Sequence, residues 1–325
     1  MNWITEENTE QQTIKQLSKE LNVDKVISSM LVKRGIKTFN QAKDFFRPNI
    51  NQLHDPFLMK DMNEAVNRIL QAIENKESMM IFGDYDVDGT SSVALLSSFL
   101  NDIGANLSTY IPDRNNEGYG ISLKAIDLAE KNKETLIVAL DCGIKANDQV
   151  QYALNKGIDF IICDHHNPSN QLPNAYAVLN PKRKDCEYPF KELCGCGVGF
   201  KLIQAINIRK GLEIESIIHY LDLVALAIAA DIVPLIGENR ILTYVGLQII
   251  NSNPRMGLHC ILQNNKKKEF NIGDLMFYVG PKINAAGRME HASLALELLM
   301  EKDLNKGEKL AEKIEKLNQI GRAHV

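Results

Sequence analysis

The stretch Met79-Met80-Ile81-Phe82-Gly83-Asp84-Tyr85-Asp86-Val87-Asp88-Gly89-Thr90 decides how the chain is read. Its first four residues have the composition of a buried strand, and three aspartates follow at alternate positions. Gly89 is then read as turning the chain into a helix over residues 91–100. Carboxylates this close together repel one another, so a positive charge must offset them. Hard cations with oxygen ligands are the usual partners. A solvated acidic turn is the plain alternative. A calcium loop is the sharper one, because Asp84-x-Asp86-x-Asp88-Gly89 matches the opening of an EF-hand. That loop requires a Glu at its twelfth position, which here is Leu95, and a helix before it. The calcium reading fails.

Outward from this stretch a βα rhythm is visible. Apolar runs at 79–82, 107–111, 136–140, 160–163 and 175–179 alternate with helical segments at 91–100, 122–131 and 146–156. Continuous apolar runs separated by helices predict an α/β fold, with a mostly parallel sheet flanked by helices. Three of the runs end alike. Phe82 leads to Gly83-Asp84-x-Asp86-x-Asp88, Leu140 to Asp141-Cys142-Gly143, and Cys163 to Asp164-His165-His166. Sites in open α/β sheets form beyond the carboxyl ends of strands, where the strand order switches. Three acidic ends, one with paired histidines, predict such a site.

Before the rhythm, residues 1–50 read as short helices, with Val26, Ile27, Met30, Leu31 and Ile36 at helical spacing. Residues 62–75 read as an amphipathic helix with Ala65, Ile69, Leu70 and Ile73 on one face. Beyond it, 197–210 and 214–230 read as helices, the second so apolar that it must be buried. That helix delivers Asp231 at its end, either as a further contributor to the site or as an ordinary surface aspartate. Gly280-Pro281-Lys282-Ile283-Asn284-Ala285-Ala286-Gly287-Arg288 reads as a loop suited to close backbone approach and anion contact. From residue 292 the pattern is helical again, with Leu310, Ile314 and Leu317 in register. Ile320-Gly321-Arg322-Ala323-His324-Val325 departs from it and matches a translated sequencing-adapter sequence, so 320–325 is read as a non-native tail.

Composition bounds the function. The 325 residues are 45% hydrophobic and 24% charged, as in a globular protein with a large core. No apolar run reaches the roughly 18 residues of a membrane span, and the acidic N-terminus is unlike a signal peptide. The six cysteines show no C-x-x-C pairing, which suggests reduced thiols in the cytoplasm. Cys194-Gly195-Cys196 has no second thiol pair to complete a soft-metal site. The net charge of -4 argues against strong non-specific DNA binding by this chain alone. Lys182-Arg183-Lys184 and Lys266-Lys267-Lys268 are short basic runs of the kind that usually form solvated faces.

The candidate residues are Asp84, Asp86, Asp88, Asp141, His165, His166 and Asp231. Mixed carboxylate and imidazole ligands suit manganese first and magnesium second. The carboxylates exceed the needs of one ion, so two divalent ions about 3.5–4 Å apart are expected, an arrangement that drives in-line attack on phosphorus.

Asp164-His165-His166 brings a resemblance into view. The chain resembles the DHH phosphoesterase superfamily and, within it, the single-strand-specific DNA exonucleases. The match also uses Gly83–Gly89, Ile111-Pro112-Asp113-Arg114, Glu117-Gly118-Tyr119-Gly120, Asp141-Cys142-Gly143, Asn180-Pro181, 195–202, 230–235 and 280–288. It spans about residues 25–318. The resemblance implies that Asp84, Asp86 and Asp141 hold one manganese. Asp88, Asp141, His165 and Asp231 would hold the other, with Asp141 bridging. His166 would contact the scissile phosphate, Asp164 would orient a neighbour, and Arg114 and Arg288 would meet DNA phosphates.

The implied reaction is stepwise 5′→3′ release of mononucleotides from single-stranded DNA, in repair and recombination. The resemblance also implies a monomer working with single-strand-binding protein and a recombination helicase, with no membrane partner. The expected organisation is a helical segment over 1–55, a catalytic domain over 56–265 and a connector over 266–319. Members of this branch continue beyond such a connector into further domains, so weak grip on DNA is expected of this chain. The alternatives are another DHH hydrolase, acting on pyrophosphate, oligonucleotides or cyclic dinucleotides, and an inactive scaffold. A scaffold would be expected to lose its metal carboxylates, and here all are present.

Overall fold

A computed structural model describes residues 10–323, with side chains described as far as residue 321. The chain divides into two compact units, 1–52 and 53–325. In the first, α1 (Gln11–Leu21), α2 (Lys25–Lys33) and α3 (Phe39–Phe46) surround a small core of Ile14, Leu17, Leu31, Val32, Ile36 and Ala42. Thr38 and Gln41 close the start of α3 with a reciprocal capping box. The stripe read from sequence divides here: Leu31 and Ile36 are buried, whereas Val26, Ile27 and Met30 are exposed.

The second unit begins with α4 (Met62–Glu74), β1 (Ser78–Gly83), α5 (Val87–Asp102), β2 (Asn106–Tyr110), α6 (Leu123–Lys131) and β3 (Leu136–Leu140). It continues with α7 (Asn147–Asn155), β4 (Asp159–Cys163), β5 (Ala177–Leu179), α8 (Gly195–Arg209) and α9 (Leu221–Asp231). The five strands form one parallel sheet in the order β2-β1-β3-β4-β5. The chain steps to one side of β1 and then returns to the other, so the order reverses between β1 and β3. Residues 79–82 and all of β3 are buried, as expected for strands covered on both faces.

Met80, Phe82, Ile137, Ala139, Phe160 and Ile162 face α6 and α7. On the other face α5 and α8 pack against the strands, and Leu95 and Leu140 lie against Gly199 of α8. At the amino end of the sheet Arg68 donates to Asp159 (2.6 Å) and Glu77 (2.7 Å). This staple is at the opposite end from the acidic strand termini.

The remaining helices are α10 (Gly237–Ser252), α11 (Met256–Leu262), the single turn α12 (Ile272–Asp274), α13 (Gly280–Met289), α14 (Ser293–Met300) and α15 (Leu304–Ala323). Lys201 of α8 is wholly buried, with its ammonium on the His54 carbonyl (2.7 Å) and Glu238 of α10 (3.1 Å). The other Glu238 oxygen accepts from the Tyr188 hydroxyl (2.6 Å).

Four expectations are corrected. α5 begins at Val87, so Gly89 lies inside its first turn instead of making the turn. The segment 214–230 opens as two short 3-10 turns before α9. Residues 280–288 are helical, not a loop, because their small side chains permit close packing: Ala285, Ala286 and Gly287 are buried, and Lys282 pairs with Glu315 at 2.5 Å. Finally, α15 runs through Ile320 to Ala323, so the helical pattern does not break at Ile320; this does not bear on the origin of 320–325, of which residues 324–325 lie outside the described residues.

Candidate metal centre

The sheet register sets the site. Gly83 pairs with Leu140, Leu140 with Cys163, and Cys163 with Leu179. Asp84, Asp141 and Asp164 therefore leave three neighbouring strands at one level, at the point where the strand order reverses.

Asp84 is buried, and neither of its carboxylate oxygens accepts a well-formed hydrogen bond. Asp86 caps α5, accepting from the Gly89 amide at 2.9 Å. Gly89 is required there, since a Cβ would fall 2.4 Å from the Asp84 carbonyl oxygen. Asp88, in the first turn of α5, is buried and accepts from the amides of Gly195 (2.6 Å) and Cys196 (2.7 Å). The positive amino end of α8 thus holds this carboxylate in place.

Asp141 has φ +59°, a left-handed conformation uncommon for a non-glycine residue. Its amide is fixed on the Cys163 carbonyl at 2.8 Å. Its Oδ1, which has no hydrogen-bond partner, stands 3.2 Å from His165 Nε2. A Cβ on Gly195 would meet that oxygen at 2.6 Å, so the start of α8 must be glycine. Asp231, at the end of α9, brings Oδ2 to 3.7 Å from the same His165 nitrogen, and Asp88 Oδ2 is 3.8 Å from it.

Asp164 works inward. One oxygen accepts from the amides of His165 (2.7 Å) and His166 (3.0 Å) and contacts His166 Nδ1 at 2.7 Å. The other accepts from the Ile144 amide at 2.9 Å. The His166 ring is thereby oriented, with its Nε2 toward the Tyr119 hydroxyl at 3.3 Å.

Charge crowding shapes the electrostatics. Burial, and then the charge of Asp86, raise Asp84 to about 7. Burial and the charges of Asp231 and Asp86 raise Asp88 to about 8. Asp141 is held well above the ordinary carboxyl range by burial and by Asp88. Asp231 reaches about 6 through burial and Asp86. Burial lowers His165 to about 4, which leaves a neutral imidazole. Asp164 is opposed by its burial but drawn below the usual range by His166, whose own affinity for a proton rises through the same hydrogen bond.

Two donor groups result. Asp88, His165 and Asp231 offer atoms within 4.8 Å of one another, as do Asp141, His165 and His166. Asp84 and Asp86 lie on the same rim but join neither group. Arg114 is exposed and stacks over the Tyr85 ring at 5.3 Å. Arg288 is exposed and lines a groove with Asn284 and Asn318. Its neighbour Gly287 packs against the Tyr85 carbonyl, which brings α13 to the edge of the site.

Buried carboxylates, a neutral imidazole and unpartnered atoms at Asp84, Asp141 and His165 suit a divalent cation with oxygen and nitrogen ligands. The 117–120 and 195–202 stretches carry part of the resemblance, but sequence reasoning gave no role to Tyr119 or to the Gly195 and Cys196 amides. Tyr119 is flanked by Gly118 and Gly120, both of which adopt positive φ.

A family model described as "DHH family, N-terminal domain" matches residues 78–228. The single-stranded-DNA-specific exonuclease RecJ of Bacillus subtilis is 39% identical over 95% of this chain and 39% of its own length. RecJ of Haemophilus influenzae is 34% identical, covering 83% of this chain and 49% of its own. The chain therefore spans less than half the length of these two relatives. A crystal structure of exonuclease RecJ bound to manganese matches with a TM-score of 0.77 and 30% identity, over 85% of this chain and 69% of that one. The manganese complex of Thermus thermophilus RecJ matches with a TM-score of 0.82 and 26% identity, over 96% of this chain and 44% of that one. The fold, the acidic strand ends and these relatives agree: the chain belongs to the RecJ family of DHH proteins.

Proposed function

We propose that the chain carries the catalytic core of a single-stranded-DNA exonuclease that releases mononucleotides from the 5′ end by phosphodiester hydrolysis. The observation that carries this reading is the convergence of Asp88, Asp141, His165 and Asp231 at the strand-order reversal, with buried carboxylate and imidazole atoms left without partners. RecJ relatives are named single-stranded-DNA-specific exonucleases, and RecJ structures are described as bound to manganese.

In this reading Asp84, Asp86, Asp88, Asp141, His165 and Asp231 hold two divalent ions, manganese before magnesium. Such a pair supplies an activated water and neutralises charge on the phosphoryl oxygens. The protein's own groups do the rest. Asp164 fixes the His166 ring, whose Nε2, beside the Tyr119 hydroxyl, would contact the scissile phosphate. Arg114 and Arg288 are exposed at the mouth and hold further phosphates of the strand. Asp141, held with φ +59°, keeps its carboxylate beside His165, the residue common to the two donor groups. The enzyme would work as a monomer in the cytoplasm, beside single-strand-binding protein and a recombination helicase. Sedimentation and co-purification test those partners.

The direct test is manganese-dependent release of mononucleotides from 5′-phosphorylated single-stranded DNA, with Asp141→Ala as control. Release by the wild type alone is expected. Equal release by both proteins would place the chemistry elsewhere. Turnover of pyrophosphate or cyclic dinucleotides in preference to DNA would move the chain to another DHH hydrolase class.

A further inference from the structure

The segment from Ile111 to Ile121 joins β2 to α6 and contains no regular element. It nonetheless delivers two side chains to the site. Arg114 lies over Tyr85, and Tyr119 points its hydroxyl at His166 Nε2. The rings of Tyr85 and Tyr119 meet edge to face at 6.4 Å, as do those of Tyr119 and His166 at 6.1 Å. A segment of irregular backbone bridging strand and helix needs something to hold it.

Glu117 is that group. Its side chain is 5% exposed and gathers contacts from both ends of the segment. One oxygen accepts from the Tyr110 hydroxyl at the end of β2 (2.8 Å) and from Ser122, the N-cap of α6 (2.6 Å). The other accepts from the Asp113 amide (3.1 Å) and faces the Lys124 ammonium at 3.5 Å. Burial opposes ionisation, yet the hydrogen bonds from Ser122, Asp113 and Tyr110 keep the carboxyl below its ordinary range. Tyr110 is itself anchored, stacked on Phe82 of β1 at 5.7 Å. The clamp therefore runs from the sheet core, through one carboxylate, to the segment that carries Arg114 and Tyr119.

We infer that Glu117 is a positioning residue for the phosphodiester site: it holds the 111–121 segment so that Arg114 stands over Tyr85 and Tyr119 beside His166, and so sets the affinity for a DNA strand without entering the chemistry. This rests on the reading of the site as a phosphodiesterase, and the test separates the two. Glu117→Ala is expected to raise KM for a 5′-phosphorylated oligodeoxynucleotide by about tenfold or more. kcat should stay within about twofold, because no group acting on the reacting phosphate is removed. Tyr110→Phe, which keeps the stacked ring and removes one donor, should move KM the same way by less.

A readout independent of DNA is trypsin cleavage after Arg114 under native conditions, expected to accelerate by about tenfold or more in Glu117→Ala as the segment opens locally. The manganese-induced rise in melting temperature should not change. Accelerated cleavage with no DNA turnover by any variant would support the clamp and count against the functional reading. Unchanged cleavage and unchanged KM would overturn the clamp. So would kcat and the manganese-induced rise falling together, since Glu117 would then serve general stability.

Discussion

Asp164 and Asp141 show how two adjacent-strand aspartates divide their work. Asp164 spends its oxygens on protein amides and on His166 Nδ1, whereas Asp141 keeps Oδ1 free beside His165. The first is suited to orienting a ring and the second to binding a cation. Asp164→Asn should keep the fold and the manganese-dependent rise in melting temperature. It should lower turnover by roughly 10–100-fold, because the neutral amide holds His166 Nδ1 more weakly than a carboxylate does and turns an N–H toward the Ile144 amide. Steady-state kinetics beside a melting curve checks this, and equal loss in both would show that Asp164 also holds the metal. The sequence could not separate these roles, because Asp-x-Gly and Asp-His-His look equally ligand-like until the amides around each carboxylate are known.

Buried charge is also managed at the level of elements. Lys201 of α8 is tied to Glu238 of α10 with no exposure of either side chain beyond 1%. Glu238→Ala would leave that ammonium buried without its counter-charge. It should cost about 3–5 kcal/mol of stability, measured by chemical denaturation, with little change in manganese affinity of the protein that remains folded. The strands were legible from sequence to within about two residues because β1, β3, β4 and β5 are largely apolar runs, as a parallel sheet covered on both faces requires. The edge strand β2, by contrast, carries Asn106, Ser108 and Thr109 and is only partly buried. Helix boundaries were less legible. Gly89 signals a turn, but its lack of a Cβ serves the approach of α5 to Asp84. Gly280, Ala285, Ala286 and Gly287 signal a loop in the same way, yet form a helix packed against α9, α14 and α15. In both cases the small residue answers a tertiary contact that the local pattern does not contain. Asp231 could be suspected from its place at the end of an apolar helix, but only the fold brings it to His165.

Across the whole molecule, the acidic cluster couples stability to pH and to metal. Asp84, Asp88 and Asp231 stand at about 7, 8 and 6 in the fold, against an ordinary value of 3.8. Between pH 4 and 8 the folded metal-free chain therefore binds more protons than the unfolded one, and its stability falls as pH rises through that window. His165, lowered to about 4, acts in the opposite sense below pH 6.5 but is a single group. Thermal melts of the metal-free protein should peak toward the acid end of the window. Manganese should restore stability most at pH 8, where these carboxyls are ionised, with proton release on binding near pH 6–7. A melting temperature that rises from pH 5 to pH 8 without metal would contradict this.

The most direct test of the metal centre is the stoichiometry of manganese binding at pH 8, followed by electron paramagnetic resonance. Two ions per chain, magnetically coupled through a shared carboxylate, with coupling lost in Asp141→Asn, is the predicted result. A single uncoupled ion, or two that are indifferent to Asp141, would contradict the bridging role given to Asp141 and with it the two-ion account of the site.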